Sequence, residues 1–218
     1  MIYMLDVYFG GEDDITRAVA KRLICRTIDE KEVNLIELSS RASGHRALQN
    51  MPKIVNLGFK APVITVFDTD NQCILEMLKT HAPDGWHSDL CAINLAVDEA
   101  ESWLLADRKN IADFLSVDIS AIPEKRKNDV ELSNAIPYKT SMYIVKEIAP
   151  KSSDTSIKTG LYPANRFSKP PTYNTTLLPF VMYRWNIDEA LINSKSLLRA
   201  SQKVEVVLRR AIGSEKNK

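Results

Sequence analysis

The first half of the chain alternates strand-like and helix-like patterns, and this alternation restricts the fold more than any other feature. Four apolar runs with β-branched residues predict strands, in "IYMLDVYF", "VNLIEL", "APVITVFDTD" and "DLCAINLAV". Helical spacing of apolar residues follows each run, in "DDITRAVAKRLI", "GHRALQNMPKIVNLG", "CILEMLKTH" and "EAESWLLAD". Strands that alternate with helices build a mainly parallel sheet with helices packed on its faces. The sequence therefore predicts an α/β fold.

Length and composition indicate one globular protein. The chain has 218 residues, of which 44% are hydrophobic and 26% charged, enough for one sizeable core or for a core plus a small appendage. No apolar run reaches the roughly 18 residues that indicate a membrane span, and the first residues do not resemble a signal peptide. We therefore expect a cytoplasmic protein with no membrane partner. Three widely spaced cysteines show no disulfide or zinc pattern, and we expect reduced core residues.

The net charge of +1 hides an asymmetry between the two halves. Up to Arg108 there are 11 Lys and Arg against 17 Asp and Glu, a net charge of −6. From Lys109 onward there are 18 against 11, a net charge of +7. This split suggests metal-binding carboxylates in the first half and an anion-contacting surface in the second.

Carboxylates follow three of the four predicted strands at the point where each strand ends. They are Glu12 after the first strand, Asp68 and Asp70 at the third, and Asp98, Glu99 and Glu101 after the fourth. The carboxyl ends of parallel strands meet at one edge, where ligands bind in such folds. Crowded carboxylates repel one another unless cations neutralise them, and an oxygen-only set suits Mg²⁺. An acidic residue after a strand is also often a helix cap, which stays open for Asp13, Asp14 and Asp98.

The segments "GGEDDITRAVAKRL", "VITVFDTD" and "AVDEAESWLLAD" resemble the TOPRIM fold. They are most similar to the small stand-alone bacterial proteins related to the overcoming-lysogenisation-defect nucleases. The TOPRIM pattern has a glutamate after the first strand and Asp-x-Asp after the third, matched by Glu12, Asp68 and Asp70. The resemblance covers about residues 1–117. The tryptophan of the third segment follows Glu101 with one residue between them, whereas the stand-alone group has two.

The resemblance implies a metal-dependent nuclease that hydrolyses phosphodiester bonds of DNA or RNA with Mg²⁺ or Mn²⁺. Asp68 and Asp70 would hold the metal, and Glu12 would act as a ligand or general base. Glu101, together with Glu99, would bind a second metal. The implied catalytic residues are Glu12, Asp68, Asp70 and Glu101. The resemblance also suggests a phage-defence effector with an ATPase partner. The implied fold is a TOPRIM-like domain over residues 1–117 with a mostly helical extension over residues 118–218.

The second half carries a proline-rich basic segment between Pro150 and Pro179. Its cations and aromatic residues could follow a phosphate backbone and stack bases, and we predict nucleic-acid contacts at Lys158, Arg166 and Lys169. An irregular surface connection is the alternative. The closing segment "SLLRASQKVEVVLRRAI" predicts a helix packed on the core.

Two other functional classes remain open from the sequence. A haloacid-dehalogenase-type phosphatase also places Asp-x-Asp after an apolar strand, but it expects the first strand and Thr or Val at the position of Gln72. The other class is a non-catalytic regulatory or scaffold subunit of an ATPase complex. Metal-dependent cleavage of nucleic acid by the pure protein separates these classes.

Overall fold

A computed structural model describes residues 4–38, 49–70, 72–81, 88–124, 139–163, 165 and 168–215. It contains a four-stranded, all-parallel sheet flanked by helices and a helical C-terminal region, so the predicted fold class is confirmed. The strands are β1 (Leu5–Gly11), β2 (Val33–Glu37), β3 (Val63–Asp68) and β4 (Cys91–Ala96). Their order in the sheet is β2-β1-β3-β4, which places β1 and β3 at the centre.

The register of the sheet aligns the carboxyl ends of the central strands. Phe9 of β1 is opposite Glu37 of β2, and Gly11 of β1 is opposite Val66 of β3. The burial of β3 agrees with its central place in the sheet, since all residues from Val63 to Phe67 are buried. A strand that is buried on both faces requires a continuous apolar run rather than alternation.

Helices connect the strands and form most of the second half. In chain order they are α1 (Asp14–Thr27), α2 (Met51–Leu57), α3 (Ile74–His81), α4 (Glu101–Leu105), α5 (Arg108–Leu115), α6 (Thr140–Tyr143), α7 (Thr155–Gly160), α8 (Tyr173–Pro179), α9 (Ile187–Asn193) and α10 (Lys195–Glu215). Short 3₁₀ turns occur at Glu30–Glu32, Ile119–Ala121 and Ala149–Lys151. Two π-helical segments, Ile144–Ile148 and Phe180–Arg184, continue α6 and α8.

The turn from β1 into α1 is built by a capping box and a close backbone approach. The Oδ1 atom of Asp13 accepts from the Thr16 backbone N–H at 2.8 Å, and Thr16 Oγ1 accepts from the Asp13 N–H at 3.0 Å. This decides between the two candidate caps in favour of Asp13. A Cβ on Gly11 would lie 2.5 Å from Thr16 Oγ1 and 2.8 Å from the Arg17 nitrogen. The glycine therefore lets α1 start directly against the end of β1.

The chain divides into two compact units. The first comprises Met1–Leu95 and Arg199–Lys218, and the second comprises Ala96–Leu198. The domain boundary predicted near residue 117 lies within the second unit. In the first unit, one face of the sheet packs Val63, Phe67 and Ile93 against Met51 and Met77 of the flanking helices. Burial of such apolar side chains is the main source of stability in a core of this kind.

A lysine of α10 contacts the last strand of the first unit. Lys203 Nζ donates a hydrogen bond to the backbone carbonyl of Ile93, with 3.0 Å between the two atoms. Burial of the ammonium beside the strand lowers the pKa of Lys203 from its ordinary value of 10.5.

The second unit has its own core, centred on large aromatic side chains. Trp103, Tyr173, Phe180 and Trp185 are each at most 2% exposed. Trp103 Nε1 donates to Ser196 Oγ at 2.6 Å, which satisfies its polar atom inside the core. The segment from Pro150 to Pro179 contains α7 and α8, so the alternative of an irregular surface connection is wrong for those two stretches.

The cysteines are free thiols, as predicted, but they are not all core residues. Cys91 is buried, Cys25 is half-buried and Cys73 is exposed, so the prediction is wrong for Cys73. Burial raises the pKa of the Cys91 thiol to about 11. Within the described ranges, no helix combines the length and apolar character needed to cross a membrane.

Candidate metal centre at the carboxyl edge of the sheet

The first unit brings Glu12 and Asp68 together. Oε1 of Glu12 accepts a hydrogen bond from the backbone N–H of Asp68, with 2.6 Å between the two atoms. Glu12 follows β1 directly and Asp68 is the last residue of β3, so the parallel pairing of these strands sets the contact. Both residues are half-buried. Two of the three carboxylate residues predicted for the first metal therefore lie at one edge of the sheet.

Asp70 lies two residues beyond Asp68 in an unusual backbone conformation. Its φ is +50°, in the left-handed region that is uncommon for residues other than glycine, although asparagine and aspartate adopt it more often than the rest. The intervening Thr69 is 1% exposed, whereas Asp70 is exposed. The turn after β3 thus buries the threonine and presents the second aspartate at the surface. Backbone conformations of this kind are often found at functional sites.

The basic residue Arg17 stands at the same edge, although the sequence did not single it out. Arg17 Nη2 lies 2.5 Å from Asp14 Oδ1, and its Nε lies 3.2 Å from Glu37 Oε1 at the end of β2. Its Nη1 donates to the carbonyl of Gly11 at 3.5 Å. The Arg17 guanidinium therefore lies next to Gly11, the residue before Glu12. In the sequence, Arg17 lies one helical turn after Asp13 and Asp14, and this spacing could have indicated its contact with Asp14.

The acidic residues that follow β4 belong to the second unit and are held inside it. Asp98, Glu99 and Glu101 are 2%, 3% and 2% exposed. Asp98 Oδ2 accepts from the Thr140 backbone N–H at 2.9 Å and from the Thr140 hydroxyl. Asp98 therefore does not cap the helix that follows β4, whose N-cap is Ala100; it accepts instead from the first residue of α6. Like Asp70, Asp98 has a left-handed backbone conformation, with a φ of +64°.

Glu99 and Glu101 each face a lysine. Glu99 Oε2 accepts from the Ser141 N–H at 2.7 Å, and Lys139 Nζ lies 3.9 Å from its Oε1. Lys169 Nζ lies 3.7 Å from Glu101 Oε1. Burial raises the pKa of Glu99, and this effect exceeds the opposite influence of the Ser141 hydrogen bonds and of Lys169. Their predicted role as ligands of a second metal stays a prediction.

The three predicted nucleic-acid contacts have different surroundings. Lys158 is exposed in the last turn of α7. Lys169 is half-buried, and besides Glu101 its ammonium lies 4.8 Å from the centre of the Tyr173 ring. Arg166 lies outside the described residues. Of the two members that the structure describes, Lys158 presents its cation at the surface, whereas Lys169 interacts with groups of its own unit.

The donor chemistry at the edge fits a hard cation, because Glu12, Asp68 and Asp70 offer carboxylate oxygens only. The contact between the Glu12 carboxylate and the Asp68 backbone also places both residues at the same edge of the sheet. In the part of the chain that the structure describes, however, no three side chains of His, Cys, Asp or Glu form a group arranged to hold a metal ion. A metal would therefore have to draw the side chains together as it binds.

Comparison with known proteins adds no further constraint. No family model matches the chain, and neither the curated proteins nor the solved structures include a similar one. The TOPRIM-like interpretation consequently depends on the sequence segments quoted above and on the geometry of this edge.

Proposed function

We propose that the protein is a Mg²⁺- or Mn²⁺-dependent nuclease whose metal is held by Glu12, Asp68 and Asp70. The observation that carries this proposal is the 2.6 Å contact of Glu12 Oε1 with the Asp68 backbone N–H, which holds the Glu12 carboxylate against the end of β3. The left-handed backbone at Asp70 supports it, since the fold maintains a strained turn to present this carboxylate.

When bound, the metal would lower the pKa of an attacking water and stabilise charge on the leaving oxygen. The residues of the chain have separate tasks. The Asp68 backbone N–H orients the Glu12 carboxylate, which can accept a proton from the attacking water. Arg17, which pairs with Asp14 and Glu37, reduces the negative charge of this edge.

The resemblance further suggests DNA or RNA as substrate, a cytoplasmic phage-defence effector as the biological role, and an ATPase as partner. The basic second half supports a polyanionic substrate, since a net charge of +7 from Lys109 onward favours phosphate backbones.

The test compares cleavage and metal binding in matched variants. We expect the pure protein to cut plasmid DNA or RNA in Mg²⁺ or Mn²⁺ but not in EDTA, and Asp68→Asn and Asp70→Asn to lose this activity. Asp89→Asn is the control, because Asp89 precedes β4 and therefore lies at the opposite edge of the sheet. Without metal, Asp68→Asn should melt at or above the wild-type temperature. The change removes one negative charge from an edge that also carries Glu12 and Asp70, and it keeps the hydrogen bond from the backbone N–H of residue 68 to Glu12.

Two results would contradict the proposal. One is wild-type protein that binds no Mn²⁺ in an electron paramagnetic resonance titration and cleaves neither DNA nor RNA. The other is full activity in both aspartate variants.

A further inference from the structure

The second unit contains a polar cavity that the proposed function does not use. Its volume is about 660 Å³, within the 300–1,000 Å³ typical of small-molecule pockets, and it lies between the start of α5 and α9. We propose that this cavity binds a neutral polyhydroxylated small molecule of the sugar class. The inference concerns residues of the second unit alone and is independent of nuclease activity.

The wall of the cavity is fixed by a buried aspartate. Asp107 is 1% exposed, and its Oδ2 accepts from the backbone N–H of Asn186 at 2.7 Å. Both of its carboxylate oxygens also accept from Asn110 Nδ2 at 3.0 Å. Asp107 therefore holds one cavity residue from α5 and the turn before α9 in place. A side chain that is itself satisfied and orients others is typical of a preformed site.

Three asparagines line the cavity, and their hydrogen bonds define which polar atoms remain for a ligand. Asn193 Nδ2 donates to the carbonyl of Ala106 at 2.9 Å. Asn186 Oδ1 accepts from the N–H groups that begin α9, at 3.1 and 3.3 Å. Among the described residues, the asparagine atoms that make no hydrogen bond are Oδ1 of Asn110 and of Asn193, which are acceptors, and Nδ2 of Asn186, which is a donor.

Arg108 is held in place by hydrogen bonds within the second unit. Its Nη2 donates to the carbonyl of Ile122 at 3.0 Å and approaches Glu124 at 3.5 Å, while its Nε atom is buried away from the cavity surface. The asparagines therefore offer two acceptors and one donor for a ligand.

The charges of the lining restrict the ligand. Two cations, Arg108 and Lys109, stand against three carboxylates, those of Asp107, Glu124 and Glu189. The excess of negative charge disfavours phosphates and other anions. The apolar members of the lining are Ala106 and Ile119, too few to bind a largely hydrophobic molecule.

Hydroxyl groups satisfy this arrangement best. Each hydroxyl is one donor and two acceptors, so a molecule with several hydroxyls can pair acceptors and donors together without adding charge. The chemistry therefore favours a sugar over a phosphate or an apolar ligand.

Saturation-transfer NMR on the full chain tests the proposal with D-ribose, D-glucose, D-galactose, glucosamine and glucose 6-phosphate as probes. We expect transfer to at least one neutral sugar and to glucosamine, and weaker transfer to the 6-phosphate. Asn186→Ser retains a good N-cap oxygen for α9 but removes the Nδ2 donor, and should weaken sugar binding about fivefold. Asn174→Ser is the control, since Asn174 belongs to α8 and does not line the cavity.

A charge reversal provides the second test. Glu189→Lys should shift the preference of the cavity toward glucose 6-phosphate, because Glu189 is exposed on α9 and its replacement reverses the excess charge. The absence of transfer to any sugar from a folded protein would overturn the proposal. Tighter binding of glucose 6-phosphate than of glucose by wild type, or equal loss in Asn186→Ser and Asn174→Ser, would also overturn it.

Discussion

Glu99 shows how strongly burial governs single residues in this protein. The side chain is 3% exposed, and the Ser141 N–H and two lysines favour its charged form. Desolvation nevertheless has the larger effect, because water is a better partner for a carboxylate than one N–H and partly exposed ammonium groups. The result is a glutamate whose pKa is raised from 4.5.

This raised pKa gives a prediction for stability against pH. Below pH 4.5 Glu99 is protonated in both states and costs nothing. As pH rises through 4.5, the unfolded chain releases this proton first, so the free energy of unfolding falls until the folded pKa is passed. Glu99→Gln removes the titration and keeps an acceptor for Ser141, so its stability should increase relative to wild type over that window.

Urea unfolding at a series of pH values measures this difference. Glu147→Gln, at an exposed position, corrects for the change in net charge. Parallel curves for wild type and Glu99→Gln would show that Glu99 titrates equally in both states.

The positions of the acidic residues along the chain were predictable, but their neighbours were not. Glu12 and Asp68 each follow an apolar strand, and parallel pairing brings them together as expected. The lysines at Glu99 and Glu101 come from residues 139 and 169, far along the chain, in a half without a clear pattern. No local spacing indicates such contacts, because only the packing of the second unit creates them.

At the scale of elements, the sheet and its first helix depend on the turn at Gly11. The strands could be predicted because each is a short apolar run next to a turn signal, as in Val63–Asp68. The π-helical segments could not, because "IVKEI" and "FVMYR" have the composition of ordinary α-helix. A π-helical turn joins residues five apart, whereas an α-helical turn joins residues four apart, and helix propensities do not distinguish the two.

We predict that Gly11→Ala destabilises the protein by about 1–3 kcal/mol, the usual cost of an added methyl group in a closely packed place. The new Cβ would lie 2.5 Å from Thr16 Oγ1 and 2.8 Å from backbone, so α1 would have to move away from β1. Gly213→Ala is the matched control. No atom lies within 4 Å of a Cβ there, and alanine in α10 should stabilise by up to about 1 kcal/mol.

Chemical denaturation followed by circular dichroism measures both changes. An unaltered midpoint for Gly11→Ala would mean that the start of α1 can shift without cost. The same variant should also lose Mn²⁺ affinity if the position of Glu12 depends on this turn.

At the scale of the whole molecule, the charge asymmetry of the two halves remains the clearest pointer to a polyanionic partner. The sequence predicted three cationic contacts, and the structure presents Lys158 at the surface while Lys169 faces Glu101. The local sequence could not distinguish these two lysines, because their exposure depends on distant residues.

We predict that Lys158→Ala weakens binding of nucleic acid similarly for all sequences and lowers the salt dependence. A lost phosphate contact reduces the slope of log affinity against log salt by about 0.9 on duplex DNA. Lys60→Ala is the control, since Lys60 is an exposed lysine that precedes β3 at the opposite edge of the sheet from Asp68. Fluorescence anisotropy at several salt concentrations measures the slopes, and equal slopes for Lys158→Ala and wild type would contradict the prediction.

The contact of Lys203 with the Ile93 carbonyl also bears on the behaviour of the protein at high concentration. In the sheet as described, β4 is a terminal strand, and its sequence "CAINLA" carries no charge. Terminal strands can recruit a strand from a neighbouring molecule and begin fibrillar aggregation. Five of the six β4 residues are buried, and Lys203 occupies the Ile93 carbonyl with an ammonium, so α10 helps to keep β4 from pairing with a strand of another molecule.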